Sequence, residues 1–233
     1  MIPPLMPLFR IGSTLKNTDD TLLRIYDLLF RRYGPQHWWP GDSPFEVMVG
    51  AILTQSAAWQ NVEKAIVNLK TAGVMSPSAL RQIPTTELVQ LILPVGYYNA
   101  KAFKLQALVR WLRDSCGDNL DRLFTLETAD LRQQLLTVHG IGPETADSIL
   151  LYAANKPVFV IDAYSRCVFS RLGLKPEHDT YDDWQIYFSG TLPQNTQLFN
   201  EYHALLVRLG KESCLKKPAC DNCCLREICK SRS

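Results

Sequence analysis

The stretch Leu135-Leu136-Thr137-Val138-His139-Gly140-Ile141-Gly142-Pro143-Glu144-Thr145-Ala146-Asp147-Ser148-Ile149-Leu150, followed by Pro157-Val158-Phe159-Val160-Ile161-Asp162-Ala163-Tyr164, decides the fold. It reads as helix, glycine turn, helix, buried strand-like run and a single carboxylate. Gly140 and Gly142 permit backbone conformations that a side chain would forbid, and Pro143 suits the first helical position, where its missing N–H costs nothing. A helix starting there presents unpaired N–H groups and the positive end of its dipole, and no side chain at the glycines blocks a phosphate. The turn is expected to grip a nucleic-acid backbone at Gly140 and Gly142 without reading its sequence.

The order of hairpin, Thr145-Ala146 and an apolar run ending in Val160-Ile161-Asp162-Ala163-Tyr164 resembles the helix-hairpin-helix plus Gly/Pro/Asp superfamily of DNA glycosylases, which includes endonuclease III. Four further matches resemble the branch acting on 3-methyladenine: Trp38-Trp39-Pro40, Leu53-Thr54-Gln55, Gly96-Tyr97-Tyr98-Asn99-Ala100-Lys101-Ala102, and Gly140-Ile141-Gly142-Pro143-Glu144-Thr145-Ala146-Asp147. The resemblance runs from Thr18 to Cys229. It implies an all-α protein that takes a damaged base out of double-stranded DNA. Gln55 would fill the gap left by the extruded nucleotide, though a polar residue between two helices also suits a simple cap. Trp38, Trp39 and Tyr98 become candidates for the base pocket, because stacking on an aromatic face is worth on the order of 1–3 kcal/mol per base. Ordinary core filling is the alternative for each.

The chemistry turns on positions 144 and 162. Family members that also nick the strand carry a lysine two residues beyond the second hairpin glycine, where it forms a Schiff base with the sugar. This chain has Glu144 there, and a carboxylate cannot form that imine. A monofunctional enzyme is expected, although a lysine elsewhere, such as Lys156, remains open. Breaking the N-glycosidic bond develops positive charge on the sugar, and an ionised carboxylate can stabilise it and orient or deprotonate water. Asp162 is the candidate for that role, and its place before Ala163-Tyr164-Ser165-Arg166 also suits a helix N-cap. Glu144 is expected either to add electrostatic support or to face solvent at its helix start. An N-alkylated purine is already a cation and a good leaving group, and aromatic faces favour it by about 0.5–2 kcal/mol.

Five of the seven cysteines fall between Cys214 and Cys229. In a reducing compartment such clustering argues for metal ligation over disulfides, with zinc or an iron–sulfur centre as the two options. Cys214-x5-Cys220-x2-Cys223-x5-Cys229 resembles the endonuclease III loop that holds a 4Fe-4S cluster, with the first gap one residue shorter. Cys224 is then the non-ligand by spacing, although it could exchange roles with Cys223, while Cys116 and Cys167 read as isolated buried thiols. The 3-methyladenine branch commonly lacks this cluster, so the chain joins one branch's pocket to another's tail.

With 233 residues, 46% of them hydrophobic, the chain can bury one large core or two small ones. No apolar stretch reaches the length of a membrane span, and Met1 to Arg10 does not read as a signal peptide, so a cytoplasmic, nucleoid-associated monomer is expected. A net charge of +2 proves no nucleic-acid partner, but Arg208, Lys211, Lys216, Lys217, Arg226, Lys230 and Arg232 concentrate positive charge near the end. Lys216 and Lys217 are candidates for phosphate contacts.

Apolar spacing predicts helices over 18–32, 44–53, the segment through Leu69, 76–83, 85–91, 101–114, 165–172, 181–189 and 197–209, with a Pro- and Gly-broken loop at 33–44. Two helical domains are expected: a six-helix domain over 42–155 that ends in the hairpin at 131–152, and a second formed by 1–41 with 156–233, carrying the thiol loop 214–229. Asp162 would lie in the cleft between them. Two other functions share these features: an endonuclease III-like glycosylase and abasic-site lyase acting on another lesion or mismatch, and a non-catalytic iron–sulfur DNA-binding protein.

Overall fold

The structure, a computed structural model, describes residues 18–232. The opening segment read for a leader and the cap-like side chains at positions 18 and 19 lie outside the described residues. All regular structure among the described residues is helical: α1 (Thr18–Tyr33), α2 (Pro44–Leu53), α3 (Trp59–Thr71), α4 (Pro77–Gln82), α5 (Thr85–Ile92), α6 (Tyr98–Cys116), α7 (Leu120–Phe124), α8 (Thr128–Leu136), α9 (Pro143–Ser148), α10 (Ala163–Leu172), α11 (Tyr181–Thr191) and α12 (Thr196–Glu212). Between 42 and 155 there are eight helices where six were expected, and the five-residue α7 is one that apolar spacing did not predict.

Local chemistry sets the boundaries. Ser43 accepts the Glu46 N–H at 3.2 Å just before Pro44, so α2 begins with a side-chain cap and a proline that lacks a donor to lose. Every α2 residue from Phe45 to Leu53 is buried, which explains its lack of a polar stripe. Its one charge, Glu46, pairs with Lys70 Nζ at 2.7 Å.

Two hydrophobic clusters fill the interior. One gathers α2 to α9, with Met48, Ile52, Leu105, Leu108 and Ile149 fully covered. The other unites the inner face of α1 (Leu22, Ile25, Leu29) with α10, α11 and α12, where Phe159 stacks on Phe188 at 4.4 Å and 7°. Burying each such side chain contributes roughly 1.5–3 kcal/mol, so a helix far from its partners in sequence is held by its apolar face rather than by propensity.

The clusters meet where α9 runs on into a π-helical turn, Ile149–Ala153. Ile149 and Leu150 face the first cluster, Leu151 the second, and Tyr152 packs against both. The run Pro157–Ile161, read as strand-like, forms no strand, and it is buried from Val158 on. Val158 belongs to the first cluster and Phe159, Val160 and Ile161 to the second, so the run is apolar because it threads between two cores. Its Ile161 N–H donates instead to the Tyr181 hydroxyl at 3.4 Å.

Candidate active site and nucleic-acid interface

The hairpin joins α8 to α9 through residues that divide their tasks. Gly140 has φ +85°, and a Cβ there would lie 2.2 Å from Lys104 Cγ, so both conformation and packing require glycine. Gly142 is different: its φ of −94° suits any residue, and a Cβ would meet nothing within 4 Å. The protein's own packing does not demand a glycine at 142; the bare backbone there leaves open space in front of α9.

Gln55 is tied into this turn. Its Nε2 donates to the Gly140 carbonyl (3.0 Å) and the Thr145 hydroxyl (2.9 Å), and its Oε1 accepts from Lys104 Nζ at 2.5 Å. In the DNA-free protein Gln55 thus brackets the hairpin. Behind it, Lys101 is buried and donates to the carbonyls of Leu53 (2.9 Å) and Val95 (3.0 Å), closing the C-terminal end of α2. Burial, aided by Lys104, pulls its pKa down to about 8.

Below the hairpin, Arg132 of α8 meets Asp147 at 2.7 Å, and the Tyr181 hydroxyl donates to the same carboxylate at 2.9 Å. Asp147 has no exposed surface. Burial lifts its carboxyl above the ordinary range, and the two donors hold back the rise.

Asp162 caps α10. Its Oδ1 accepts both the backbone N–H and the hydroxyl of Ser165, at 2.7 and 2.8 Å. Its Oδ2 faces His203 Nε2 at 3.5 Å, long for a hydrogen bond but close for two buried groups whose side chains are 14% and 9% exposed. Burial alone would raise this carboxyl, but the imidazole and the Ser165 donors outweigh it and hold the value below the usual carboxylate range. Glu144 moves the other way. Its own surface is open to solvent, but the wider shell of protein around it and the repulsion of Asp162 lift its carboxyl, against the pull of His203 and Arg166. Two neighbouring acids are therefore pushed apart in their affinity for protons.

An aromatic path leads to Asp162. Trp38 contacts Trp59 at 4.7 Å, Trp59 meets Trp39 edge-on at 5.3 Å, and Trp39 packs on Tyr152 at 5.3 Å. The Tyr152 hydroxyl lies 2.5 Å from His203 Nδ1. Trp39 lies against Gly50, where a Cβ would come within 3.0 Å of the indole, and its Nε1 is buried without a partner. Tyr98 opens α6, partly exposed, and makes no ring contact with the tryptophans. The structure thus brings Trp38 and Trp39 together and leaves Tyr98 outside, while adding Trp59, Tyr152 and His203, which sequence reasoning missed. His203 had one local signal: it shares the apolar face of α12 with Phe199 and Leu206.

The thiol loop leans on the second cluster. Cys214, Cys223, Cys224 and Cys229 are half-buried against it, and the Arg171 guanidinium donates to the carbonyls of Cys214 (3.1 Å) and Leu215 (2.8 Å) and to Cys214 Sγ (3.1 Å). Lys216 and Lys217 lie exposed at the tip of this loop. Cys116 is buried, with its thiol on the Leu112 carbonyl. Cys167 is neither isolated nor buried: one helical turn before Arg171, it is half-exposed and its charge is felt by Cys214 and Arg171. Among the described residues no three His, Cys, Asp or Glu side chains already stand as a metal-ligand group. The donor set still suits a thiophilic centre in its chemistry, being rich in sulfur and partly shielded. Burial raises the Cys214 and Cys223 thiols and, with Cys223 beside it, pushes the Cys224 thiol up to about 11.

Solved structures share this architecture. The Helicobacter pylori 3-methyladenine DNA glycosylase bound to 1,N6-ethenoadenine aligns with a TM-score of 0.73 at 28% identity, over 84% of this chain and 98% of that one. An endonuclease III–DNA complex aligns at 0.78 over 92% and 96%, with 21% identity, a likeness of fold. In sequence, the model of the HhH-GPD superfamily of base excision DNA repair proteins matches residues 49–194, and the chain belongs to that superfamily. A Methanocaldococcus jannaschii protein provisionally named a DNA repair glycosylase is 41% identical over 93% of this chain and 99% of its own length, and the endonuclease III of Sulfolobus acidocaldarius is 30% identical over 80% and 81%. No helix among the described residues is long and apolar enough to cross a membrane.

Proposed function

We propose that this protein is a monofunctional DNA glycosylase that hydrolyses the N-glycosidic bond of N-alkylated purines extruded from duplex DNA. The observation that carries the reading is Asp162, shielded yet held ionised, at the end of an aromatic path, with Glu144 instead of a lysine at the hairpin. The likeness to the ethenoadenine-bound 3-methyladenine glycosylase supports the substrate class.

In this account the bare backbone at Gly140 and Gly142 receives a phosphate. Gln55 gives up its hairpin bonds to occupy the vacated place in the duplex, and Lys216 and Lys217 meet the backbone further along. The cationic base enters against Trp38, Trp39 and Trp59, whose faces favour positive charge; Tyr98 is left out of this chamber. As the C1′–N bond breaks, the base takes the bonding pair and leaves neutral. Asp162 offsets the charge on the sugar, water supplies a hydroxyl to C1′, and its proton passes to the carboxylate. Glu144, the weaker acid of the two, adds negative potential when ionised and has no route to an imine.

The tail is proposed to hold a 4Fe-4S cluster through Cys214, Cys220, Cys223 and Cys229, with Cys224 outside the ligand set and zinc the competing occupant. Such a group supplies a rigid, thiolate-anchored loop. The residues 42–155 and the remainder are proposed as two domains flanking the cleft, in a monomer working in the cytoplasm on nucleoid DNA.

The test is release of free bases from randomly methylated duplex DNA, identified by mass, with strand breaks scored before and after alkali. Methylated purines in the supernatant and breaks only after alkali are expected. Borohydride trapping of a covalent complex would instead assign lyase chemistry, and no released base over a broad lesion panel would favour a non-catalytic DNA-binding protein. An absorption band in the visible blue identifies the cluster; its absence with one bound zinc identifies the alternative.

A further inference from the structure

His203 and Tyr152 have no part in the chemistry above, yet their atoms converge on it. The imidazole is buried on α12. Its Nδ1 is taken by the Tyr152 hydroxyl at 2.5 Å, while its Nε2 has no hydrogen-bond partner and faces Asp162 Oδ2 at 3.5 Å. Ser165 donates twice to Oδ1, so Oδ2 is the oxygen without a Ser165 donor, and His203 is the group beside it.

The groups around this imidazole are few. From the cap and first turn of α10 come Asp162 and, acting on Glu144, Arg166; from the first turn of α9 comes Glu144, and from the π-helical turn after it Tyr152, which also feels Glu201. The α1 groups Tyr26 and Asp27 face the other side of α12, where Tyr26 feels Glu201 and Tyr202 feels Asp27. No cation apart from the imidazole itself lies within contact of Asp162 among the described residues. Charges so shielded from water act more strongly on each other than exposed ones.

We propose that His203, oriented by Tyr152, is a positioning residue whose proton decides how much negative charge Asp162 shows the sugar. Neutral, with its proton on Nε2, the imidazole aims Oδ2 and leaves its charge uncancelled. Protonated, it forms an ion pair with Asp162 and cancels the field that the developing sugar cation needs. Asp162 itself stays ionised to below the ordinary carboxylate range. The inference rests on the glycosylase reading, and it predicts an acid-side loss of rate that belongs to the histidine and not to the acid it serves.

Single-turnover base release from methylated duplex DNA is measured against pH for the wild type, His203→Gln, Tyr152→Phe and Glu144→Gln. Glutamine can still donate to Oδ2 but does not titrate. The wild-type rate is expected to fall about tenfold per pH unit on the acid side; His203→Gln abolishes that fall, Tyr152→Phe moves it, and Glu144→Gln keeps it. An unchanged acid limb in His203→Gln overturns the proposal. A second measurement needs no activity: in the DNA-free protein the ¹⁵N resonance of His203 Nε2 should change on Asp162→Asn, and an unaltered resonance overturns the contact. A wild type that releases no base counts against the glycosylase reading, and the resonance still decides this one.

Discussion

The glycine turn at 140–142 and the seam around Asp162 are assembled in opposite ways. The turn is local: its backbone shape comes from adjacent residues, and Gln55 and Lys104 reach it from outside. The seam is a convergence, drawing Tyr152 from a π-helical turn, Asp162 from a helix cap and His203 from the middle of α12. The turn offers bare backbone, which can grip any sequence; the seam offers shielded side chains, which can tune one proton. A protein that must bind DNA everywhere and react at one lesion needs both kinds of surface.

The contrast can be broken most severely at the carboxylate. Asp162→Asn should cut base release on the order of a hundred- to a thousandfold while duplex affinity, measured by anisotropy, stays within about twofold of wild type. The same variant tests a stability effect. Asp162 has a depressed pKa, so its contribution is present above the ordinary carboxylate value and lost as pH falls through the lowered one; Asn should flatten that acid-side part of a melting-temperature profile. Next, Arg132→Ala leaves the buried Asp147 without its guanidinium and should cost about 3 kcal/mol in denaturant unfolding. A loss below about 1 kcal/mol would mean that protonation and Tyr181 suffice. The two hairpin glycines sharpen the comparison from within. Gly140→Ala meets a positive φ and Lys104 and should lose about 1–2 kcal/mol of stability. Gly142→Ala should stay within about 0.5 kcal/mol in stability yet weaken DNA binding. Smallest is Lys216→Gln with Lys217→Gln, which should lower the slope of log affinity against log salt by about one per lysine and leave lesion preference unchanged.

What the sequence disclosed follows the same division. Helix α2 runs over the residues its apolar pattern predicted, its Ser43 cap having been read only as loop, and Asp162 is the N-cap that its following residues suggested. Periodicity is a local property and serves local features well. It failed at Pro157–Ile161, where continuous apolar character reflects two cores on two sides and not a sheet. Neither could it pair Tyr152 with His203, 51 positions apart, or seat Trp59 between Trp38 and Trp39, because those contacts exist only once α2, α3, α9 and α12 have packed. Cys167 was missed for the same reason: its thiol neighbours belong to a loop nearly fifty residues on.

Helix α10 ties together two features treated separately so far. Its first turn is organised by the Asp162 cap, and near its far end the Arg171 guanidinium holds the thiol loop through four hydrogen bonds, while the Arg171 carbonyl receives the Cys229 thiol and the Ser231 N–H. Ten residues of helix make a stiff strut about 15 Å long. On the proposed assignment, oxidation of the tail cysteines would therefore reach Asp162 mechanically, as a small tilt of its carboxylate, without any part of the tail touching it.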